Sequence, residues 1–175
     1  LLFRKMNNFT VKLGSINTGV NSFDFKIGDQ FFESFTFSDI KHGDISAIAT
    51  FIKDGENISM NLIVKGQINR LNCDICADDL SIYISASEDF IIKKTDENLS
   101  STDEVLYFKK SENKIDLKHL IFELIVTSCP QKRQHALDKN GKSNCDQKMV
   151  DLVNKYAQIK ETASDARWDA LKSLT

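Results

Sequence analysis

The sequence predicts an α+β fold: a single domain with a bent, largely antiparallel sheet of about five to seven strands, a buried helix and C-terminal helices. Two patterns predict it. Before position 110, apolar residues alternate with polar ones in several runs, which is the period of half-buried strands. After position 116, apolar residues follow helical spacing instead. A chain of 175 residues that is 41% hydrophobic and 27% charged can bury the core that such a domain needs.

The first strands are predicted within residues 9–27 and at residues 44–53. Phe23, Phe25 and Ile27 alternate with polar residues in the first segment, and residues 29–35 between the two segments predict a short helix. Asp54-Gly55 is a strong signal for a two-residue turn. The strand at 44–53 should therefore lead directly into the next one, as in an antiparallel meander.

The longest alternating stretch covers residues 57–92 and predicts an antiparallel hairpin. Gly66 interrupts its first strand, which indicates a bulge or a sharp bend there. Cys73-Asp74-Ile75-Cys76 falls at the hairpin tip. A Cys-x-x-Cys on such a turn can point both sulfur atoms at one metal ion, which is half of a zinc knuckle.

The last third of the chain is predicted to be mainly helical. A strand at 105–109 follows the polar loop 95–103, and Asp116 can cap a mostly buried helix that Pro130 ends. Ser143 begins a capping-box pattern before a second helix, whose apolar face carries Met149, Leu152, Val153 and Tyr156. A tail helix is expected at residues 162–175, and residues 1–5 are interpreted either as an upstream extension or as a remnant of cloning.

Charge is distributed unevenly along a chain whose formal net charge is only −2. This balance argues against a general polyanion binder. Residues 131–148 carry five basic and two acidic side chains, whereas residues 88–104 carry six acidic and two basic ones. The basic segment, with Lys132, Arg133, Lys139 and Lys142, is therefore the candidate for an RNA phosphate contact, and a solvated connecting loop explains it equally well.

The same residues resemble the YceD family of bacterial and plastid proteins. Three ordered blocks carry the resemblance: Val64-Lys65-Gly66-Gln67-Ile68 running into Cys73 to Asp79; Ile115-Asp116-Leu117, Cys129-Pro130, His135 and Cys145; and Asp165 to Lys172 around Trp168. Ile75 and Cys129 depart from the family, which usually has arginine and leucine there. Cys129 is accordingly expected to be a core residue.

The resemblance implies a non-enzymatic factor required for accumulation and processing of large-subunit (23S) rRNA and for large-subunit assembly. Its partner would be the rRNA, a pre-ribosomal particle or another assembly factor, in the cytoplasm, with no membrane and no small-molecule substrate. In agreement, no nucleophile, base and orienting group stand at motif spacing. The alternative is a cytoplasmic Cys-x-x-Cys metal-binding or redox protein.

The resemblance also predicts which residues meet the cysteine pair. Cys73, Cys76, His135 and Cys145 would supply three thiolates and one imidazole, a ligand set that Zn²⁺ accepts. Free structural thiols are the alternative, because the ten-residue spacing of His135 and Cys145 is unlike that of common zinc ribbons. Redox chemistry is less favoured, since no helix N-terminus follows the pair. Trp168 and Leu171 on the tail helix either dock on their own domain or bind a partner.

Overall fold

The structure, a computed structural model, describes residues 3–5, 8–97, 99–102, 104–139 and 141–157. The chain divides into two compact units, one drawn from Leu1–Leu71 and Asp79–Arg133 and the other from Asn72–Asp78 and Gln134–Thr175. The described strands are β1 (Phe3–Lys5), β2 (Thr10–Lys12), β3 (Gly19–Ile27), β4 (His42–Asp54), β5 (Asn57–Asn72), β6 (Asp79–Thr95), β7 (Val105–Lys109) and β8 (Lys114–Asp116). The described helices are α1 (Asp29–Glu33), α2 (Lys118–Ser128) and α3 (Gln147–Ala157).

The first unit contains a six-stranded sheet in the order β1-β3-β4-β5-β6-β7. β4 is antiparallel to both β3 and β5, as the alternation and the Asp54-Gly55 turn predict. Asn69 bonds to Ser81 and Asn61 bonds to Asp89, so β5 and β6 also run in opposite directions. The outer strands β1 and β7 are parallel to their neighbours. The predicted α+β fold with a largely antiparallel sheet is confirmed.

The core of the first unit lies on one face of this sheet. Alternate residues of the central strands are fully buried, among them Phe25, Phe51 and Leu62. Helix α2 packs against β6 and buries Ile121 and Ile125, which confirms the predicted buried helix. The remaining two strands, β2 and β8, pair in a separate small sheet. β2 falls within the predicted strand region 9–27, whereas the sequence pattern did not indicate β8, because three residues are too few to show a period.

Gly66 does not form a bulge with β4, so that part of the prediction is wrong. The pairing of β4 with β5 continues without a break through Ile45 and Gly66. A Cβ atom at Gly66 would lie 2.3 Å from the carbonyl oxygen of Asp44 and 2.6 Å from the Cα of Ile45. Glycine is required here because the two backbones approach too closely for any side chain.

The second unit is small and mostly irregular. It consists of the hairpin tip 72–78, a loop that follows residue 133, and helix α3. The prediction of one domain over residues 1–175 stays a prediction, as does the extension at 1–5. The predicted tail helix, 162–175, lies outside the described residues.

Candidate metal centre

The Cys-x-x-Cys forms a tight turn at the tip of the hairpin. The backbone N–H of Ala77 donates to the carbonyl oxygen of Cys73 at 2.8 Å, and the N–H of Cys73 donates to the oxygen of Asp78 at 2.9 Å. Ala77 adopts a left-handed backbone, with φ of 60°, a conformation that costs an alanine about 1–2 kcal/mol. The turn therefore holds Cys76 back toward Cys73 at a local conformational cost, which indicates that the position of the two sulfurs matters.

His135 and Cys145 are brought together by a small hairpin, which could not be predicted from their spacing in the sequence. Leu137 and Ser143 form an isolated antiparallel bridge, and Asp138 and Lys142 exchange backbone and side-chain hydrogen bonds across the turn. His135 and Cys145 lie two residues outside this bridge, on opposite strands of the hairpin. Residues ten apart in the chain thus become neighbours.

Helix α3 begins directly after Cys145. Asp146 caps it, because its side chain accepts a hydrogen bond from the N–H of Lys148 at 2.9 Å and its carbonyl accepts one from Val150 at 3.0 Å. The predicted capping box starting at Ser143 is wrong by three residues: the Ser143 hydroxyl accepts instead from the N–H of Cys145, at 3.2 Å. This bond fixes the backbone that carries the Cys145 thiol.

All four predicted ligand residues lie together within the second unit, and we call them the Cys₃His cluster. Their Sγ atoms and one imidazole nitrogen are all within 4.8 Å of one another. The Cys73 and Cys145 sulfurs are 3.6 Å apart, and Nδ1 of His135 lies 3.5 Å from the sulfur of Cys76 and 3.6 Å from that of Cys145. Cys73, Cys76 and Cys145 are buried, and His135 is partly exposed.

These distances match the edges of a zinc tetrahedron. With Zn–S bonds of about 2.3 Å and Zn–N bonds of about 2.0–2.1 Å, tetrahedral geometry separates two sulfurs by about 3.8 Å, and a sulfur from a nitrogen by about 3.6 Å. Three of the six donor–donor distances differ from these values by about 0.2 Å or less, and the others are at most 4.8 Å. The donor set therefore fits Zn²⁺ in size as well as in chemistry.

The electrostatic environment of the cluster favours at least one thiolate. Burial raises the pKa of the Cys73 thiol, but hydrogen bonds from the backbone N–H groups of Cys76, Ile75 and His135 outweigh burial and lower it to about 6. Burial chiefly, together with the adjacent Cys73, raises the pKa of the Cys76 thiol to about 11. The site thus favours a thiolate at Cys73 and disfavours one at Cys76.

The four residues of the predicted RNA contact have different surroundings. Lys132 is exposed in the first unit, where the guanidinium of Arg133 pairs with the carboxylate of Asp39 and is only 24% exposed. Lys139 and Lys142 are exposed in the second unit, on the hairpin that joins His135 to Cys145. Arg133 is thus already engaged in a structural ion pair, whereas the three lysines present their charge to solvent.

Other sequence-based assignments have simpler outcomes. Cys129 is partly buried in the first unit and is not a member of the Cys₃His cluster. Trp168 and Leu171 lie outside the described residues. Within the described part of the chain, no helix combines the length and the apolar character needed to cross a membrane.

Sequence reasoning missed one exposed aromatic residue, Phe37, whose side chain is 79% accessible. Its sequence signal is weak, because it follows three other phenylalanines that are all buried, Phe31, Phe32 and Phe35. In the sequence, an exposed phenylalanine that stands next to buried phenylalanines looks the same as a core residue.

Fold and site together define an α+β protein with a compact thiol–imidazole cluster that can hold a metal ion. A family model described as "Large ribosomal RNA subunit accumulation protein YceD" matches residues 60–175, which is more than half of the chain. The chain belongs to the YceD family. The comparison with curated proteins and the comparison with solved structures both gave no match.

Proposed function

We propose that this protein is a non-enzymatic cytoplasmic factor required for the accumulation and processing of 23S rRNA, and hence for assembly of the large ribosomal subunit. The observation that carries the proposal is the family match over residues 60–175. The Cys₃His cluster is compatible with this role, because four protein ligands would leave a metal no open position at which to activate a substrate. Its partner is the rRNA itself, a pre-ribosomal particle or an assembly-factor protein.

We further propose that Zn²⁺ holds the second unit together. In the described part of that unit, the buried side chains are Cys73, Cys76 and Cys145, and helix α3 buries none of its own. A unit this small, whose described residues bury these three thiols and no large apolar side chain, is of the kind that a metal or a cross-link usually stabilises. Zn²⁺ would supply the positive charge that stabilises three buried thiolates, and Cys73, Cys76, His135 and Cys145 would hold it.

The geometry favours this structural role over thiol redox chemistry. Cys73 and Cys76 lie in a turn between β5 and β6 and not at the start of a helix, so the backbone N–H groups that lower the pKa of Cys73 belong to the cluster itself. The cluster also brings an imidazole nitrogen within 3.6 Å of two sulfurs, which completes a four-donor set of the kind that Zn²⁺ accepts and a two-cysteine redox motif does not need.

Depletion of the protein from its cells tests the assembly role. We expect large-subunit particles and 23S rRNA to fall while small-subunit rRNA stays near its normal level, as measured by sedimentation and RNA quantification. Re-expression of the wild-type chain is the matched control and should restore both. Normal large-subunit particles in depleted cells, together with a disturbed thiol balance, would instead support the redox alternative.

The predicted RNA contact is tested by reversing charge at Lys132, Arg133, Lys139 and Lys142. Replacing all four by glutamate should weaken binding to 23S rRNA. It should also make the affinity less dependent on salt, because a complex with fewer phosphate contacts releases fewer counterions when it forms. A second variant with glutamate at the exposed Lys12, Lys26, Lys65 and Lys93 carries the same change in net charge. Equal RNA binding by the two variants would remove this segment as the contact.

A further inference from the structure

Phe37 is exposed because a turn in the first unit holds it outward. The N–H of Ser38 donates to the carbonyl oxygen of Phe35 at 3.1 Å, which places Phe37 in the third position of a four-residue turn. The Ser38 hydroxyl accepts a hydrogen bond from the N–H of Ile40, also at 3.1 Å. With 79% of its side chain accessible, the Phe37 ring has most of its surface in water.

Beneath Phe37, two buried rings form a rigid support. Phe35 and Phe122 stack face to face, with ring centroids 3.8 Å apart and planes within 6° of parallel. Phe37 meets both rings nearly at right angles, with its centroid 6.1 Å from that of Phe35 and 5.6 Å from that of Phe122. Such edge contacts fix the orientation of the outer ring while leaving it largely free for another flat group.

Two lysines and one histidine lie around this support. Nζ of Lys118 lies 5.7 Å from the centre of the Phe35 ring, and the imidazole of His119 packs against the same ring at 5.4 Å. Nζ of Lys41 donates to the carbonyl oxygens of Phe35 and Thr36 at 3.1 and 3.3 Å, within the turn itself. The carboxylate in this turn, Asp39, is paired with Arg133. Two lysine charges therefore lie beside the support of the exposed ring.

We propose that Phe37 is a stacking platform for a base of single-stranded RNA, with Lys118 and Lys41 contacting the adjacent phosphates. The proposal rests on the assembly function above and names a contact that could carry it. Single-stranded nucleic acid is bound by this pairing of chemistries, because every base offers a flat face and every linkage a negative charge. A purely apolar protein segment would use the ring but would gain nothing from the lysines.

Fluorescence anisotropy of the full-length chain with a labelled oligoadenylate of about 12 nucleotides tests the platform. Phe37→Ala should weaken binding by about 5- to 150-fold, which is the range that one base–aromatic stack contributes. Phe37→Trp should retain or improve the affinity, because indole offers a larger flat surface. For an RNA duplex of the same length, the wild type and Phe37→Ala should bind alike, since paired bases cannot reach the ring.

Salt dependence separates the ring from the lysines. Phe37→Ala should leave the slope of affinity against salt concentration unchanged, whereas Lys118→Glu should reduce it by about the contribution of one phosphate contact, near 0.7 for a single strand. Tyr83→Ala removes a different aromatic side chain that is 60% exposed and should leave binding unchanged. Lys65→Glu is the matched charge reversal at an exposed position on β5.

Three results would overturn the platform. The first is equal affinity of Phe37→Ala and the wild type for the single strand. The second is that the wild type shows no measurable binding of oligoadenylate. The third is that Phe37→Ala loses binding to isolated large-subunit proteins while its RNA binding is unchanged. None of them touches the assembly role. That role is judged separately, by whether the wild-type chain restores 23S rRNA in depleted cells.

Discussion

The two units of this protein are stabilised in different ways. The sheet unit buries phenylalanine, isoleucine and leucine side chains from β3, β4 and β5, and helix α2 packs against β6. Among the described residues of the second unit, the buried side chains are three cysteines, and α3 exposes Leu152, Val153 and Tyr156. The first unit is held by apolar packing, and we propose that the second depends on its metal. The units differ because the described residues of the second unit bury candidate metal ligands, whereas those of the first unit bury apolar side chains.

Removing the metal is expected to give the largest effect, confined to the second unit. Purified without chelator, the chain should carry close to one zinc, and Cys145→Ser or a strong chelator should remove it and unfold α3 and its loop. Structural zinc contributes about 10–16 kcal/mol of apparent binding energy in zinc-finger peptides, far more than this unit can recover otherwise. Amide hydrogen exchange should show fast exchange in α3 and protected amides in β3 to β5.

Cys129→Ser is the control for that experiment, because Cys129 lies in the first unit and outside the Cys₃His cluster. It should retain one zinc per chain. Protein that is metal-free as purified, or α3 amides that stay protected after chelation, would contradict the comparison between the two units.

The converse change is a cavity in the first unit. Phe51 is fully buried, and Phe51→Ala should lower the free energy of unfolding by about 3–5 kcal/mol, from lost burial and the cavity left behind. Urea unfolding of the zinc-loaded protein measures this change, and zinc content should not change. Tyr83→Ala, at a ring that is 60% exposed, should cost much less. A loss of zinc in Phe51→Ala would show that the two units do not behave independently.

A smaller effect is expected from the backbone contact at Gly66. Gly66→Ala places a Cβ against the backbone of Asp44 and Ile45, and relieving that overlap should cost about 1–3 kcal/mol. Gly14→Ala is the matched control, since an added Cβ there has nothing within 4 Å. The difference in urea midpoint between the two variants measures the cost. Equal midpoints would mean that β4 and β5 can separate without penalty.

The smallest effect concerns the Asp39–Arg133 pair. The side-chain hydrogen bond from Arg133 holds the pKa of Asp39 below its usual value of 3.8. Because the folded state binds this proton more weakly than the unfolded state, the pair stabilises the fold above about pH 4 and loses its effect as the pH falls through the lowered pKa. Asp39 is 66% exposed, so the contribution is under about 1 kcal/mol.

Asp39→Asn should therefore be slightly less stable than the wild type at pH 7 and equal to it near pH 2, as measured by urea unfolding at each pH. Asp44→Asn, at another exposed aspartate, provides the comparison. A difference that persists unchanged into acid would assign the effect to packing and not to charge.

Local patterns were sufficient to predict much of the first unit. The alternation in 44–53 and 57–92 indicated β4, β5 and β6, and helical spacing after Asp116 indicated α2. These predictions succeed because the period of buried side chains is set by strand and helix geometry, which neighbouring residues already express. The prediction of a bulge at Gly66 failed because a glycine within a strand can also allow two backbones to approach closely. The sequence does not show which strand lies opposite Gly66.

The sequence by itself determined strands β3 to β7 and helix α2 of the sheet unit and, through the resemblance, the identity of the four candidate ligands. Only the tertiary structure decided that those ligands lie within 4.8 Å of one another, that Arg133 is occupied by Asp39, and that Phe37 faces solvent over a stacked pair of rings. The physical reason is that periodicity records which face of an element is apolar. Distances between elements depend on turns such as the Leu137–Ser143 bridge, which bring residues together that the chain keeps apart.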